Sequence, residues 1–236
     1  MTPSGQTRLV DVRINVFKKN DLLARELRTR FQHSGMHVIS LVSSPGSGKT
    51  ALLEKILTKL RQEFKVAALV GDLATENDAM RLARSQAAVK QIITGTICHL
   101  DAEMVRNAIE DWDIEELDFL FIENVGNLVC PSSYDLGEEL RLVLLSVTEG
   151  EDKPLKYPTI FNTADVAVVT KIDLAEAVEF DWALAERNIQ TVRPGMRVIK
   201  VSAKTGEGLQ ECMELFSALR PNANTRASTG NALRVP

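Results

Sequence analysis

The chain has 236 residues, of which 44% are hydrophobic, 25% charged and only 5% aromatic, with a net charge of -4 and a pI near 5.5. That length suits one sizeable domain with a largely aliphatic core; the mild acidity speaks against non-specific nucleic-acid binding, and no apolar run reaches the about 18–20 residues of a membrane span. Residues 1–12 lack the uninterrupted apolar core of a signal peptide. Three cysteines are an odd number and do not make a disulfide framework, so a reducing cytoplasm is the expected compartment.

Over residues 12–32, Val16, Leu22, Leu23, Leu27 and Phe31 recur with helical spacing. This predicts an amino-terminal helix, within a segment 1–36, that packs on the domain and joins no sheet. A β-branched run at 37–42 reads as a strand, followed by a Pro/Gly/Ser turn and a helix over about 49–61. A second strand at 66–70 ends on Gly71 and Asp72, and Thr75 with Asp78 forms a capping box for the next helix. A short strand at 91–93 and a helix over about 99–110 follow. Core strands are expected at 118–122, 142–147, 165–169 and 198–201, with a helix beginning near Ala175 and a last one over about 208–219. Apolar strands without polar alternation, separated by helices, predict a mostly parallel sheet covered on both faces: an α/β three-layer domain over 37–219. Residues 220–236, rich in Asn, Thr, Ser and Gly, are expected to form a disordered tail.

Between the first strand and the helix after it stands Ser43-Ser44-Pro45-Gly46-Ser47-Gly48-Lys49-Thr50. It keeps the phosphate-loop pattern except for the first glycine, where Ser43 stands. Gly46, Ser47 and Gly48 allow backbone amides to turn toward a phosphate at a helix amino terminus, which already attracts anions. Lys49 reaches the β/γ oxygens and Thr50 offers its hydroxyl to Mg²⁺. Asp72 and Glu123 end the second and third core strands, where ligands of open α/β sheets bind, so both are expected to face Mg²⁺ or its waters. An isolated carboxylate at such a place is more often a cap or a solvated loop acid.

Base specificity is legible further on. Thr170-Lys171-Ile172-Asp173 and Ser202-Ala203-Lys204 close two successive strands and resemble the guanine-reading motifs of GTPases. Asp173 can accept hydrogen bonds from guanine N1 and N2, a pattern adenine cannot offer. The stem of Lys171 would cover the base, and the Ala203 amide would contact O6. Thr170 replaces the usual Asn, which is expected to weaken one strut to the phosphate loop. GTP over ATP is the expectation.

Glu123-Asn124-Val125-Gly126-Asn127-Leu128-Val129-Cys130-Pro131 carries the sharpest resemblance. With SSPGSGKT, GDLATENDA, Cys98-His99-Leu100-Asp101-Ala102 and EGEDKPLKYP, it resembles the P-loop GTPase family that delivers nickel during nickel–iron hydrogenase maturation, itself similar to the urease accessory GTPases. The likeness runs over about 38–219. It implies GTP/GDP and Mg²⁺ as ligands, slow GTP hydrolysis with Lys49, Asp72 and Glu123 at the centre, Gly126 beside the nucleotide, and a GTP-promoted homodimer. It also implies a Ni²⁺ or Zn²⁺ site of Cys98, His99 and Cys130 at the subunit interface, with nickel-delivery accessory proteins and the hydrogenase large subunit as partners.

The residues themselves bear on that site in both directions. Thiolate and imidazole suit either ion, and a helix amino terminus at Cys98 would favour the thiolate. Adjacent residues diverge on a helix, however, so Cys98 and His99 converge only at an irregular end. Three ligands fall one short of a tetrahedral set, which sharing across a twofold axis would cure. Free cysteines are otherwise usually small buried hydrophobes; Cys212 reads as one of these, and His33 and His37 as surface or helix-end residues.

Many relatives carry an amino-terminal cysteine motif or a histidine-rich tract, and the first residues here contain neither. Nickel storage and a second, tight site are therefore not expected. Glu103 stands where the family sometimes has histidine. Asn127 follows the Glu123–Gly126 loop where a water-orienting Gln would stand, and no arginine finger is evident. Lys153 and Lys156, in a loop bracketed by Pro154 and Pro158, are either an exposed basic loop or contacts to a partner's nucleotide. Two other classes remain at this point: a metabolic P-loop kinase, and a GTPase chaperone for another metalloenzyme such as urease or a cobalamin enzyme.

Overall fold

The computed structural model describes residues 4–73 and 77–219, with 4–15 given as helical backbone alone. Among these, seven strands form one sheet: β1 (His37–Ser43), β2 (Val66–Asp72), β3 (Ala88–Ile93), β4 (Phe119–Glu123), β5 (Leu140–Ser146), β6 (Val166–Thr170) and β7 (Arg197–Val201). Their order is β3-β2-β4-β1-β5-β6-β7 and every neighbouring pair is parallel. Eight α-helices accompany them: α1 (Ser4–Ser34), α2 (Lys49–Leu60), α3 (Asn77–Ala83), α4 (Ala102–Ala108), α5 (Lys153–Lys156), α6 (Pro158–Thr163), α7 (Trp182–Val192) and α8 (Leu209–Ala218).

Alternate residues of the strands face opposite sides, and both sides are apolar. Ile39, Leu41, Ala68, Val70 and Phe121 pack under Leu52, Leu53 and Ile56 of α2 and Phe216 of α8. On the other side Val38, Leu69, Leu120 and Ile122 meet Leu23, Leu27 and Phe31 of α1 and Val105 of α4. Val143, Leu145, Ala167 and Val169 extend that side beneath Ile160, Phe161 and Ile189. Burying each of the larger side chains contributes about 1.5–3 kcal/mol relative to exposure. α1 joins no strand, as its spacing predicts.

Several elements differ from expectation: α1 starts at Ser4 rather than near residue 12, and β3 at Ala88 rather than Gln91. Asp101 caps α4 by accepting the Met104 N–H at 2.8 Å, so the helix starts at Ala102 and leaves Cys98 and His99 in the irregular stretch after β3. The helix expected near Ala175 begins instead at Trp182, where Asp181 accepts the Leu184 N–H at 2.9 Å; Ile172–Leu174 is a 3₁₀ turn. Pro154 and Pro158 do not bracket a loop but occupy the first turns of α5 and α6, where a missing N–H costs nothing. Thr75 and the tail 220–236 lie outside the described residues.

β1 sits centrally, with β4 on one side and β5 on the other. The chain therefore reverses direction across the sheet beside β1, and the carboxyl ends of β1, β2, β4, β6 and β7 form one rim.

Candidate nucleotide and metal site

Residues 44–48 link β1 to α2. Gly46 and Gly48 have φ of 74° and 95°, left-handed values that other residues adopt at a cost. Gly48 is the N-cap of α2 and provides no side-chain cap, leaving the helix amino terminus for an anion. Lys49 is buried and donates to Ser43 Oγ at 2.8 Å. Ser47 donates to the same oxygen, and Ser43 itself donates to the Ser44 carbonyl at 2.7 Å. The serine that replaces the first glycine thus gives the lysine an acceptor. Burial lowers the Lys49 pKa, with Glu123 opposing.

Thr50 donates to Glu123 Oε1 at 2.7 Å. Glu123 is 2% exposed, and its Oε2 has no hydrogen-bond partner. Burial pushes its pKa up to about 7, with Lys49 and Thr50 pulling the other way. A buried carboxyl oxygen left open beside a threonine hydroxyl fits a divalent cation. Asp72, at the end of β2, accepts the Leu73 N–H at 2.7 Å. It lines a cavity of about 500 Å³ together with Lys49, Thr50, Glu123 and Gly126. Asp78 and Arg81 of α3 line the same cavity and were not singled out as site residues by sequence. Gly126 lies so close to the phosphate loop that a Cβ there would sit 2.9 Å from Pro45 Cα.

At the other end of the loop, Lys171 adopts φ 57° and donates through Nζ to the Gly46 carbonyl at 2.6 Å. Thr170 Oγ1 donates to the Ser47 carbonyl at 2.6 Å. A strut to the phosphate loop is therefore present, made by the threonine hydroxyl. Ser202 Oγ donates to Asp173 Oδ1 at 2.6 Å and accepts the Lys204 and Thr205 N–H groups at 3.2 and 3.1 Å. Lys171, Asp173, Ala203 and Lys204 line a cavity of about 240 Å³ next to Gly48.

The third cluster lies beyond the rim. Cys98 Sγ and Cys130 Sγ are 2.9 Å apart, and with His99 they offer ligand atoms all within 4.8 Å of one another. His99 stacks on Tyr134 with ring centroids 3.8 Å apart, and its Nδ1 has no hydrogen-bond partner. Burial lowers its pKa against the opposing pull of Asp101, which favours the neutral, ligating imidazole. Cys98 is not at a helix amino terminus, so the expected dipole support for its thiolate is absent. The Cys130 thiol is pushed up, first by its hydrogen bond with Cys98 and then by burial, while a hydrogen bond from Asn127 lowers it. A soft, closely spaced sulfur pair beside a neutral imidazole fits Ni²⁺ or Zn²⁺.

Several supports of this cluster escaped sequence reasoning. Asn127 Nδ2 donates to the Cys98 carbonyl at 3.2 Å, and Asn124 Oδ1 accepts the Leu100 N–H at 3.0 Å. Asn20 of α1 accepts the Ala102 N–H and donates to the Asp135 carbonyl, each at 2.9 Å. Glu103 pairs with Lys19 at 2.9 Å and stands outside the cluster. Lys153 Nζ lies 3.2 Å from Ser44 Oγ of its own phosphate loop, while Lys156 pairs with Asp152 at 2.6 Å. Cys212 is core, as expected. His33 is exposed, and His37 hydrogen-bonds Glu139 at 2.7 Å at the start of β1.

A glycine-rich loop after the central strand of a parallel sheet, with a lysine and a threonine opening the next helix, defines a P-loop nucleotide-binding protein. The family model described as CobW/HypB/UreG, nucleotide-binding domain, matches residues 37–200, and the chain belongs to that family, in its HypB branch. The hydrogenase maturation factor HypB of Rhizobium leguminosarum bv. viciae is 46% identical over 206 residues, covering 87% of this chain and 69% of its own. The crystal structure of HypB from Archaeoglobus fulgidus matches with a TM-score of 0.80 at 37% identity, over 86% of this chain and 100% of that one. The structure of Helicobacter pylori HypB in complex with nickel matches with a TM-score of 0.79 at 40% identity, over 87% and 98% respectively.

Proposed function

We propose that this chain is a GTP-hydrolysing metallochaperone that delivers nickel during nickel–iron hydrogenase maturation. The observation that carries the reading is the pairing of Cys98 and Cys130 at 2.9 Å, with Cys130 at the far end of the loop that leaves β4 after Glu123. A nickel complex of a HypB that is 40% identical supports the choice of cargo. Gly46, Ser47 and Gly48 present amides to the phosphates, Lys49 neutralises the β/γ oxygens, and Thr50, Asp72 and Glu123 hold Mg²⁺. When bound, Mg²⁺ neutralises charge on the phosphate oxygens. Lys171, Asp173, Ser202, Ala203 and Lys204 read guanine. Asp72 is the candidate for orienting the attacking water, because the Asn127 amide is occupied by the Cys98 carbonyl and the Val129 N–H. Hydrolysis is accordingly slow.

Cys98, His99 and Cys130 take Ni²⁺, or Zn²⁺ in competition, one ligand short of a tetrahedron. A twofold homodimer favoured by GTP supplies the remainder. Exposed Ile97 and Val129, each adjacent to a ligand cysteine, support an interface there. The proposed partners are nickel-delivery accessory proteins and the hydrogenase large subunit, in the cytoplasm. No helix among the described residues is long and apolar enough to cross a membrane.

Two experiments test the reading. In nucleotide competition GTP displaces a fluorescent guanine nucleotide and ATP does not; equal displacement points to a metabolic kinase instead. In sedimentation equilibrium a non-hydrolysable GTP analogue raises the dimer fraction over GDP; identical fractions exclude nucleotide-gated assembly.

A further inference from the structure

The loop from Glu123 to Cys130 touches the nucleotide cavity with one flank and the metal cluster with the other. On the first flank Glu123 accepts from Thr50 and Gly126 sits against Pro45. On the second, two asparagine side chains reach across to a segment that belongs to no helix or strand. Asn127 donates to the carbonyl of the peptide joining Cys98 to His99, at 3.2 Å. Asn124 accepts the N–H of the peptide joining His99 to Leu100, at 3.0 Å. Both peptide groups that flank His99 are thus gripped by the loop that borders the phosphates.

The grip is stiff because each amide is held a second time. Asn124 Oδ1 also accepts the Val125 N–H at 2.9 Å, and the Asn124 backbone N–H donates to the Leu41 carbonyl of β1 at 3.0 Å. Asn127 Oδ1 also accepts the Val129 N–H, next to Cys130, at 2.9 Å. Asn124 and Asn127 therefore tie the Cys98–His99 segment to the loop that borders the phosphates and leads to Cys130.

We infer that Asn124 and Asn127 are positioning residues that transmit nucleotide state to the Cys98–His99 pair, an inference that rests on the metal site proposed above. The test is Ni²⁺ titration of the 236-residue chain, followed by the thiolate-to-nickel charge-transfer absorption, with the protein loaded with GDP or with a non-hydrolysable GTP analogue. Wild type should show affinities that differ by about fivefold or more between the two states. Asn127→Ala, which removes a half-exposed amide and leaves the core intact, should keep the absorption band while the ratio falls to within about twofold of unity. Asn124→Ala, which removes the acceptor for Leu100, should lower the ratio toward unity in the same way.

A wild-type ratio in Asn127→Ala overturns the inference and leaves the metal site standing. Loss of the band in both nucleotide states of Asn127→Ala also overturns it, since the residue then only props a ligand. A wild-type ratio in Asn124→Ala contradicts the role given to its acceptor oxygen. Absence of the band, or of a nucleotide effect, in wild type defeats the functional reading itself and the inference with it.

Discussion

The Thr50 hydroxyl donates to Glu123 Oε1 across 2.7 Å and ties the first turn of α2 to the end of β4. The other oxygen of that carboxyl is buried without a partner. In the nucleotide-free protein burial raises the Glu123 pKa from 4.5 to about 7. The folded state thus keeps its proton to higher pH than the unfolded chain does. The associated stability is fully present below the unfolded value and is lost as pH rises through the folded one. Melting temperatures of nucleotide-free wild type and Glu123→Gln, compared from about pH 5 to pH 8, should diverge in favour of the glutamine variant as pH rises. Parallel curves would show that the carboxyl titrates normally.

Asp173 is pre-positioned by the Ser202 hydroxyl at 2.6 Å. Asp173→Asn replaces an acceptor with an amide that presents a donor, and GTP affinity should fall by at least about tenfold, given about 1.5–3 kcal/mol for a charged hydrogen bond. Xanthine, which carries a carbonyl where guanine has its amino group, should gain affinity. Displacement of a fluorescent guanine nucleotide by GTP and by xanthosine triphosphate measures both. An unchanged preference for GTP would remove Asp173 from base recognition.

Arg141 and Glu138 form a buried pair, 10% and 6% exposed, on the second side of the sheet. Glu138 Oε1 accepts from Arg141 Nε at 2.7 Å and from Ser40 Oγ at 3.0 Å. Arg141 also donates to the carbonyl of Tyr134, the residue stacked on His99, at 2.8 Å. Arg141→Ala leaves the carboxylate buried without its partner and should cost about 3–5 kcal/mol in urea unfolding. A loss below about 1 kcal/mol would mean that water replaces the guanidinium at little cost.

The nucleotide site was legible in sequence because its parts are local. A strand, a glycine loop and a Lys-Thr pair are consecutive, and Asp173 and Ala203 sit at strand ends that hydrophobic runs mark out. The supports of the metal cluster were not legible, because each depends on a contact distant in sequence: Tyr134 on His99, Asn127 on Cys98, Asn20 on Ala102. The α7 boundary is not legible from helical spacing around Ala175, because Lys171 takes a left-handed backbone that precedes a single 3₁₀ turn. Pro154 and Pro158 bracket no loop, because the first turn of a helix accepts proline.

The three cysteines separate into two kinds. Cys98→Ala and Cys130→Ala should each abolish stoichiometric Ni²⁺ binding without large loss of stability, since both thiols are partly exposed. Cys212 is 1% exposed in the core, and burial pushes its pKa up to about 12. Cys212→Ser should leave Ni²⁺ stoichiometry unchanged while lowering the melting temperature. Metal analysis after gel filtration distinguishes them, and retained nickel in Cys98→Ala would return that residue to a structural role.

Under the proposed function, the nucleotide controls a nickel site built on Cys98, His99 and Cys130. Equilibrium dialysis against Ni²⁺, with the protein loaded in turn with GDP and with a non-hydrolysable GTP analogue, tests it most directly. Affinities should differ by about fivefold or more between the two states, and neither state of Cys98→Ala should bind stoichiometrically. Equal affinity in both states of the wild-type protein would contradict it.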